Sequence, residues 1–454
     1  MSNLFFAAAL LPQGWADNVA VALDGRGRIA SITANAACPP DAERFDGAVV
    51  AGIANLHSHA HQRAIAGLGE MSGEGTDSFW SWRDVMYRAL DRMDPEDFEA
   101  VAAQLYVETL KAGFTAVAEF HYLHHDRDGS PFADPAEMSH RTVAAARAVG
   151  LPITLLPVLY AASGFGGTAP THGQRRFIHD GDAFVRLTGA LHRAYGRDDD
   201  VRLGIAPHSL RAVPERLLAD MVAAHPAGPI HIHIAEQRKE VEDSLAHSGR
   251  RPVEWLLERA PVDARWCLIH ATHMTEAETR GVAQSGAVAG LCPTTEANLG
   301  DGFFPADSYM AQGGRWGIGS DSHISVSPVE DLRWLEYGAR LTSGRRTVLA
   351  GGPRRATARR LVEDAQAGGA QATGFDAGRI AVGQRADLVV LDTDHPLLAA
   401  RRSDAWLDSW IFAGNAGLVR DVIVGGRVVV RDRRHPREDD IAERFKNTLG
   451  RLLG

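Results

Sequence analysis

Cysteine is scarce in this chain: 454 residues hold three, Cys38, Cys267 and Cys292, with no CxxC pair among them. That excludes a disulfide framework and points to a reducing compartment. Long apolar runs are lacking too, and no stretch approaches the roughly 20 apolar residues that span a bilayer. The opening MSNLFFAAALLPQGWADN has no basic flank and no small-residue cleavage site, so it reads as a β-strand rather than an export signal. Positive charge is in deficit, with a formal net charge of −9 at pH 7 and a pI near 6.1, which argues against a nucleic-acid partner. Lysine is almost absent: Lys111, Lys239 and Lys446 are the only ones, and the other cationic side chains are arginine. These absences predict a soluble, cytoplasmic protein with neither membrane nor nucleic acid as partner.

What is present is ordinary for a globular chain, with 45% apolar and 23% charged residues. Residues 1–48 read as short strands and turns, with Asp24-Gly25-Arg26-Gly27 as a hairpin signal between two apolar runs. From about residue 49 the pattern changes to strands alternating with amphipathic helices. The strand candidates are 49–59, 115–123, 153–161, 201–209, 229–236, 266–273, 286–295 and 316–323. Helices such as PEDFEAVAAQLYVETLKAG lie between them, this one opening on the Asp94-Pro95 cap and closing at Gly113. Eight strands with intervening helices predict an α/β fold, a closed parallel (β/α)₈ barrel of the TIM type over 49–376. Strand-and-turn patterning returns in GRIAVGQRADLVVLD and LVRDVIVGGRVVVRD. Residues 377–454, ending in a helix, and 1–48 therefore predict a small β-sandwich domain built from both termini.

Barrel enzymes carry their chemistry at the C-terminal ends of the strands, and the chemically able residues fall there. His57 and His59 end the first barrel strand, His233 and Glu236 the fifth, His270 the sixth and Asp321 the eighth. Residues two apart on a strand share a face, so His57 and His59 can reach one ion. With His233 and Asp321 they form a set of three imidazoles and one carboxylate suited to one divalent cation, zinc foremost, with a position left for water. His231 alternates with His233 and is a rival ligand, read here as a deeper packing residue. Glu236 competes with a plainer reading as a solvated carboxylate at a helix start.

The motifs HSH, HIHIAE, LIHATH, GSD and the trailing GRIAVGQRADLVVLD resemble the amidohydrolase superfamily over nearly the whole chain. Many of its members hold two metals bridged by a modified lysine at the end of the fourth strand. Here that strand ends in Ala206-Pro207-His208-Ser209 with no lysine near, so the resemblance implies the mononuclear branch that contains the deaminases. It implies that Glu236 shuttles a proton to the substrate nitrogen, and that His270 helps Asp321 deprotonate or position the water.

Arg211 follows the fourth strand and offers two parallel hydrogen bonds to a carboxylate. Gln62, Arg63, Arg83 and Tyr122 add donors toward the same mouth, although Arg63 and Arg83 are equally well read as surface arginines. Such donors predict a small acidic substrate rather than a flat base. The segments HSHAHQR, FWSWRDVMYRAL, EFHYLHH, PHSLRAV and CPTTEANLGDG are similar to those of the branch members acting on N-formimino-L-glutamate in bacterial histidine degradation. The similarity implies that Arg211, Tyr122, His208, Gln62 and Arg83 hold the two carboxylates of a linear amidine. A heterocycle deaminase or chlorohydrolase-type enzyme of the same branch is the alternative. A non-catalytic binding barrel is a more distant one, disfavoured by the complete ligand set. A homodimer is expected from how commonly barrel enzymes associate symmetrically, and the Gly-rich stretch 161–182 reads as a long loop over the mouth.

Overall fold

The apolar run near the N-terminus folds as a strand because it finds a partner on each side. β1 (Asn3–Leu11) pairs antiparallel with β2 (Gly14–Leu23), which pairs with β3 (Ile29–Thr33), and β1 also pairs parallel with β4 (Ala42–Ala51). The chain is seen here as a computed structural model that describes residues 3–70, 79–351 and 355–454, with the side chains of 79–84 outside that description.

β4 and the first barrel strand were expected as one strand, 49–59. They are two. β4 ends at Ala51 in the terminal sheet, and β5 (Ile53–Ser58) begins the barrel. Gly52 makes the crossing: a Cβ there would lie 2.0 Å from Thr115 Oγ1. The apolar pattern is continuous across the break because both strands are buried on both faces, so it gave no sign of one.

β5 is followed by β6 (Phe114–His121), β7 (Ile153–Leu159), the broken strand β8 (Val201–Leu203) and β9 (Ala206–Pro207), β10 (Ile230–Ile234), β11 (Trp266–His270), β12 (Val288–Leu291) and β13 (Arg315–Ile318). Every pairing is parallel, in two runs, β5 to β9 and β10 to β13. Single bridges Ile205–Ile230, Ser209–His233 and Ser58–Asp321 join the runs at both seams and close the barrel. The expected strand 286–295 is shorter, because Pro293 opens a helix, Pro293–Leu299, at its first position.

Helix Pro95–Ala112 has the anticipated cap, Asp94 accepting from the Asp97 N–H, and ends on Gly113 at φ 103°. Helix Thr357–Thr373 seals the N-terminal end of the barrel: Gln366 Nε2 donates to the Ala51 carbonyl at 2.5 Å, and Thr154 Oγ1 to the Thr373 carbonyl at 2.7 Å.

β14 (Leu388–Leu391), β15 (Val419–Val424) and β16 (Arg427–Val430) then extend the terminal sheet in the order β16-β15-β14-β4-β1-β2-β3. The sheet packs over a core of its own that includes Phe6, Val21, Phe45, Leu388 and Ile423, and an Arg28–Arg385 bridge ties the segment before β3 to the segment before β14. This is the small sandwich assembled from both termini. The last helix, Glu438–Leu453, lies against helix Pro95–Ala112, with Lys111 paired to Glu438 at 2.6 Å. Among the described residues no helix is long and apolar enough to cross a membrane.

Candidate active site

Asp321 and the HxH pair meet because β13 closes directly on β5. The Asp321 N–H donates to the His57 carbonyl at 3.0 Å, and a Cβ at Gly319 would lie 2.7 Å from the His57 backbone nitrogen, so only glycine permits this approach. Asp321 Oδ1 then lies 3.3 Å from Nε2 of both His57 and His59, while His233 Nε2 lies 3.0 Å from His57 Nε2. One donor atom from each of the four falls within 4.8 Å of the other three, and all four residues are buried. Ligands about 2.0–2.2 Å from a tetrahedral zinc stand roughly 3.4 Å from one another, close to these separations.

The ring orientations are set from behind. His59 Nδ1 donates to the Phe120 carbonyl at 2.9 Å and His233 Nδ1 to the His208 carbonyl at 3.1 Å, which turns both Nε2 lone pairs inward. Burial, with the neighbouring His59 adding to it, lowers the His57 pKa to about 3, and burial likewise depresses His59 and His233. Neutral imidazole is the ligating form. Burial alone would raise Asp321, but the hydrogen bond and charge of His57, with His270 and His59, hold it well below the usual carboxylate range. These four side chains fit a single divalent cation, and zinc suits the set.

His270 stands beside the cluster, with Nε2 3.7 Å from both Glu236 Oε1 and Asp321 Oδ2 and Nδ1 3.3 Å from Glu296 Oε1. Burial opposes its charge, yet Glu236, Glu296 and Asp321 together push its pKa up to about 10. Burial raises Glu236 as well, against the pull of His270. Glu236 is buried and faces the site, not solvent.

The strand ends are strained where this chemistry gathers. Ala235, His270, Ala271, Asp321 and His323 adopt φ between 47° and 68°, a conformation that costs non-glycine residues of order 1–3 kcal/mol each. Hydrogen bonds across the seams, such as Ala271 N–H to the Ile234 carbonyl at 3.0 Å, hold them there.

Arg211, Gln62, Tyr122, His208, Tyr160 and Phe177 line one cavity with His59, His233, Glu236, His270 and Asp321. Gln62 Nε2 donates to Tyr122 Oη at 2.8 Å, and Gln62 Oε1 is buried with no partner among the described residues. Arg211 Nε is also buried with no hydrogen-bond partner, and no ion pair reaches its guanidinium among the described residues. Burial works against its charge, and Glu240 and Glu236 sustain it.

Arg63 leaves the set of donors at the mouth, and His231 is the packing residue expected. Arg63 is engaged elsewhere, by Glu108 at 2.8 Å and the His323 carbonyl at 2.8 Å. His231 points away from the cluster and donates through Nε2 to the Ala372 carbonyl at 2.9 Å. Arg83 falls on helix Phe79–Leu90, and its side chain lies outside the described residues.

Sequence reasoning missed the support behind the HxH pair. Ser58 Oγ donates to Glu119 Oε2 at 2.5 Å, and Ala60 N–H and Tyr106 Oη donate to the same carboxylate at 2.6 and 3.1 Å. The His59 N–H donates to His323 Nε2 at 3.2 Å, so Nδ1 carries the ring proton and donates to Ser320 Oγ at 2.9 Å. The available signal was polar residues such as Asn55 and Glu119 inside otherwise apolar strands. Tyr160 and Phe177 were missed because each joins the cavity from the loop region after β7.

The barrel, the split sandwich and the buried His₃Asp cluster together define a metal-dependent hydrolase of the amidohydrolase type. The chain belongs to the amidohydrolase family, which it matches over residues 48–429. Residues 1–46 match the N-terminal domain of the formimidoylglutamate deiminase HutF. Over 454 residues, all of both chains, the protein is 54% identical to the formimidoylglutamate deiminase of Pseudomonas aeruginosa. A crystal structure of an amidohydrolase from Brucella melitensis superposes with a TM-score of 0.96 at 50% identity, covering 100% of each chain. A 5-methylthioadenosine/S-adenosylhomocysteine deaminase from Natronomonas pharaonis is 29% identical over 85% of this chain and 82% of its own.

Proposed function

We propose that this protein hydrolyses N-formimino-L-glutamate to N-formyl-L-glutamate and ammonia, a step of histidine degradation. The observation that carries this reading is the buried, unpartnered Arg211 Nε, in one cavity with the metal cluster and with the donors of Gln62 and Tyr122. A guanidinium N–H buried without a hydrogen-bond acceptor is costly to maintain unless the substrate brings one. Full-length identity of 54% to a formimidoylglutamate deiminase supports the same substrate.

A divalent ion held by His57, His59, His233 and Asp321 supplies Lewis acidity, lowering the pKa of water in the site toward about 7. The chain's own residues do the rest. Arg211, His208, Tyr122, Gln62 and Arg83 bind the two carboxylates and direct the formimino carbon toward the cluster. Asp321 Oδ2 and His270, 3.7 Å apart, hold the proton that the water gives up. Glu236, on the other side of His270, delivers a proton to the departing nitrogen. The carbon–nitrogen bond breaks, ammonia leaves, and the water oxygen remains as the formyl carbonyl. The absence of a disulfide framework and the symmetric habit of barrel enzymes support a cytoplasmic homodimer.

The test is product analysis. Zinc-loaded protein with N-formimino-L-glutamate should yield N-formyl-L-glutamate and ammonia in equal amounts; ammonia without the formyl product would contradict the reading.

A further inference from the structure

Cys292 is the one cysteine of the three that joins the site's donor atoms. It follows β12 and is fully buried, and its Sγ, one nitrogen of His270 and one carboxylate oxygen of Asp321 lie within 4.8 Å of one another. Asp321 faces two ways: Oδ1 lies 3.3 Å from His57 and His59, whereas Oδ2 lies 3.7 Å from His270 Nε2. Glu296 sets the other two groups from behind. Its Oε1 accepts the Cys292 N–H at 2.9 Å and stands 3.3 Å from His270 Nδ1, leaving His270 Nε2 directed at Asp321 and Glu236.

Around a tetrahedral zinc, thiolate at about 2.3 Å and nitrogen or oxygen at about 2.0–2.2 Å stand roughly 3.3–3.8 Å apart. The His270–Asp321 spacing is already in that range, and the 4.8 Å limit on the Cys292 distances requires an adjustment of about 1 Å at most. Glu236 Oε1 lies 3.7 Å from His270 Nε2, beside these three donors rather than among them.

We propose that His270, Cys292 and Asp321 form a second metal site, filled by a thiophilic divalent cation present in excess and bridged to the first site through the two oxygens of Asp321. Binding is an exchange of cation for proton: Cys292 ligates as thiolate and gives its thiol proton to solvent, His270 ligates as neutral imidazole, and no redox change occurs. A thiolate selects zinc or cadmium over magnesium or manganese. An ion there occupies His270, Asp321 Oδ2 and the neighbourhood of Glu236, so the filled site blocks proton handling and inhibits. This inference rests on donor geometry and not on the substrate assigned above, so either can fail alone.

The experiment is a cobalt(II) titration of the metal-free, full-length chain, followed by absorption and by metal content. Two equivalents should bind, the second bringing a thiolate-to-cobalt charge-transfer band, and turnover should fall by about 10-fold or more as proton transfer is blocked. Cys292→Ser should keep the first equivalent and lose the band and the inhibition. A single equivalent with no such band overturns the proposal, as does a band that persists in Cys292→Ser, since its thiolate would then belong to Cys38 or Cys267. If Cys292→Ser fails to hold even the first ion, anomalous diffraction from cadmium-soaked wild-type crystals decides. A peak bonded to Cys292 Sγ and His270 supports the site, and peaks confined to His57, His59 and His233 overturn it.

Discussion

His57 Nε2 and His233 Nε2 face each other across 3.0 Å in a pocket whose burial keeps both rings neutral. Two neutral imidazoles at that distance share one ring proton when the site is empty, and with both lone pairs aimed at a common point they hold a cation. His233→Ala should therefore lower metal affinity by about 100-fold or more, beyond the 10–100-fold typical of losing an outer-shell partner. Metal content after dialysis measures this. Loading wild-type protein at about 100 times the Kd should stabilise it by roughly 2.7 kcal/mol, read as a rise in Tm that a chelator reverses.

Glu236 lies 3.7 Å from His270 and is not one of the four residues of the metal cluster. Glu236→Gln should cut kcat by about 10²–10⁴-fold, the usual worth of positioned proton transfer, while metal content stays at the wild-type level. Unchanged turnover would remove Glu236 from the reaction.

Arg211 separates a dicarboxylate pocket from a base pocket. Arg211→Met should reduce kcat/KM for N-formimino-L-glutamate by about 2–5 kcal/mol of transition-state binding, the cost of truncating one partner of a buried charge pair. Zinc content should not change. An equal, small loss on dicarboxylate and heterocyclic substrates would contradict its assigned role.

His179 gives a pH prediction away from the metal. Burial, with the charge of His125 next, lowers its pKa to about 4, and its ring packs 4.4 Å from His124 and 4.8 Å from His125 between centroids. The unfolded chain, with a histidine pKa near 6.5, takes up the proton first as pH falls. The folded state thus loses stability to this group between about pH 6.5 and 4, and regains it as pH rises. Between pH 7 and pH 5 that loss is about 2 kcal/mol. Urea unfolding at the two pH values should show His179→Leu losing less stability than wild type by roughly that amount; parallel losses would contradict it.

The ligand cluster was legible because each of its members ends a strand, where an apolar run gives way to His57, His59, His233 or Asp321. The β4–β5 junction was not, since apolar residues run unbroken through Gly52 and only three-dimensional crowding against Thr115 marks the crossing. His323 and Glu119 escaped notice for a related reason: their partners, the His59 N–H and Ser58, lie 264 and 61 residues away in the chain and meet them only when the barrel closes. Arg63 read equally well as a donor at the mouth or a surface arginine, and its pairing with Glu108 is likewise a product of folding.

The most direct test of the account is ammonia release by zinc-loaded protein from N-formimino-L-glutamate, run beside S-adenosylhomocysteine and guanine. The account predicts release from N-formimino-L-glutamate alone, lost in Arg211→Met. Release from S-adenosylhomocysteine or guanine, with none from N-formimino-L-glutamate, would leave the barrel and the metal cluster standing and contradict the substrate drawn from Arg211.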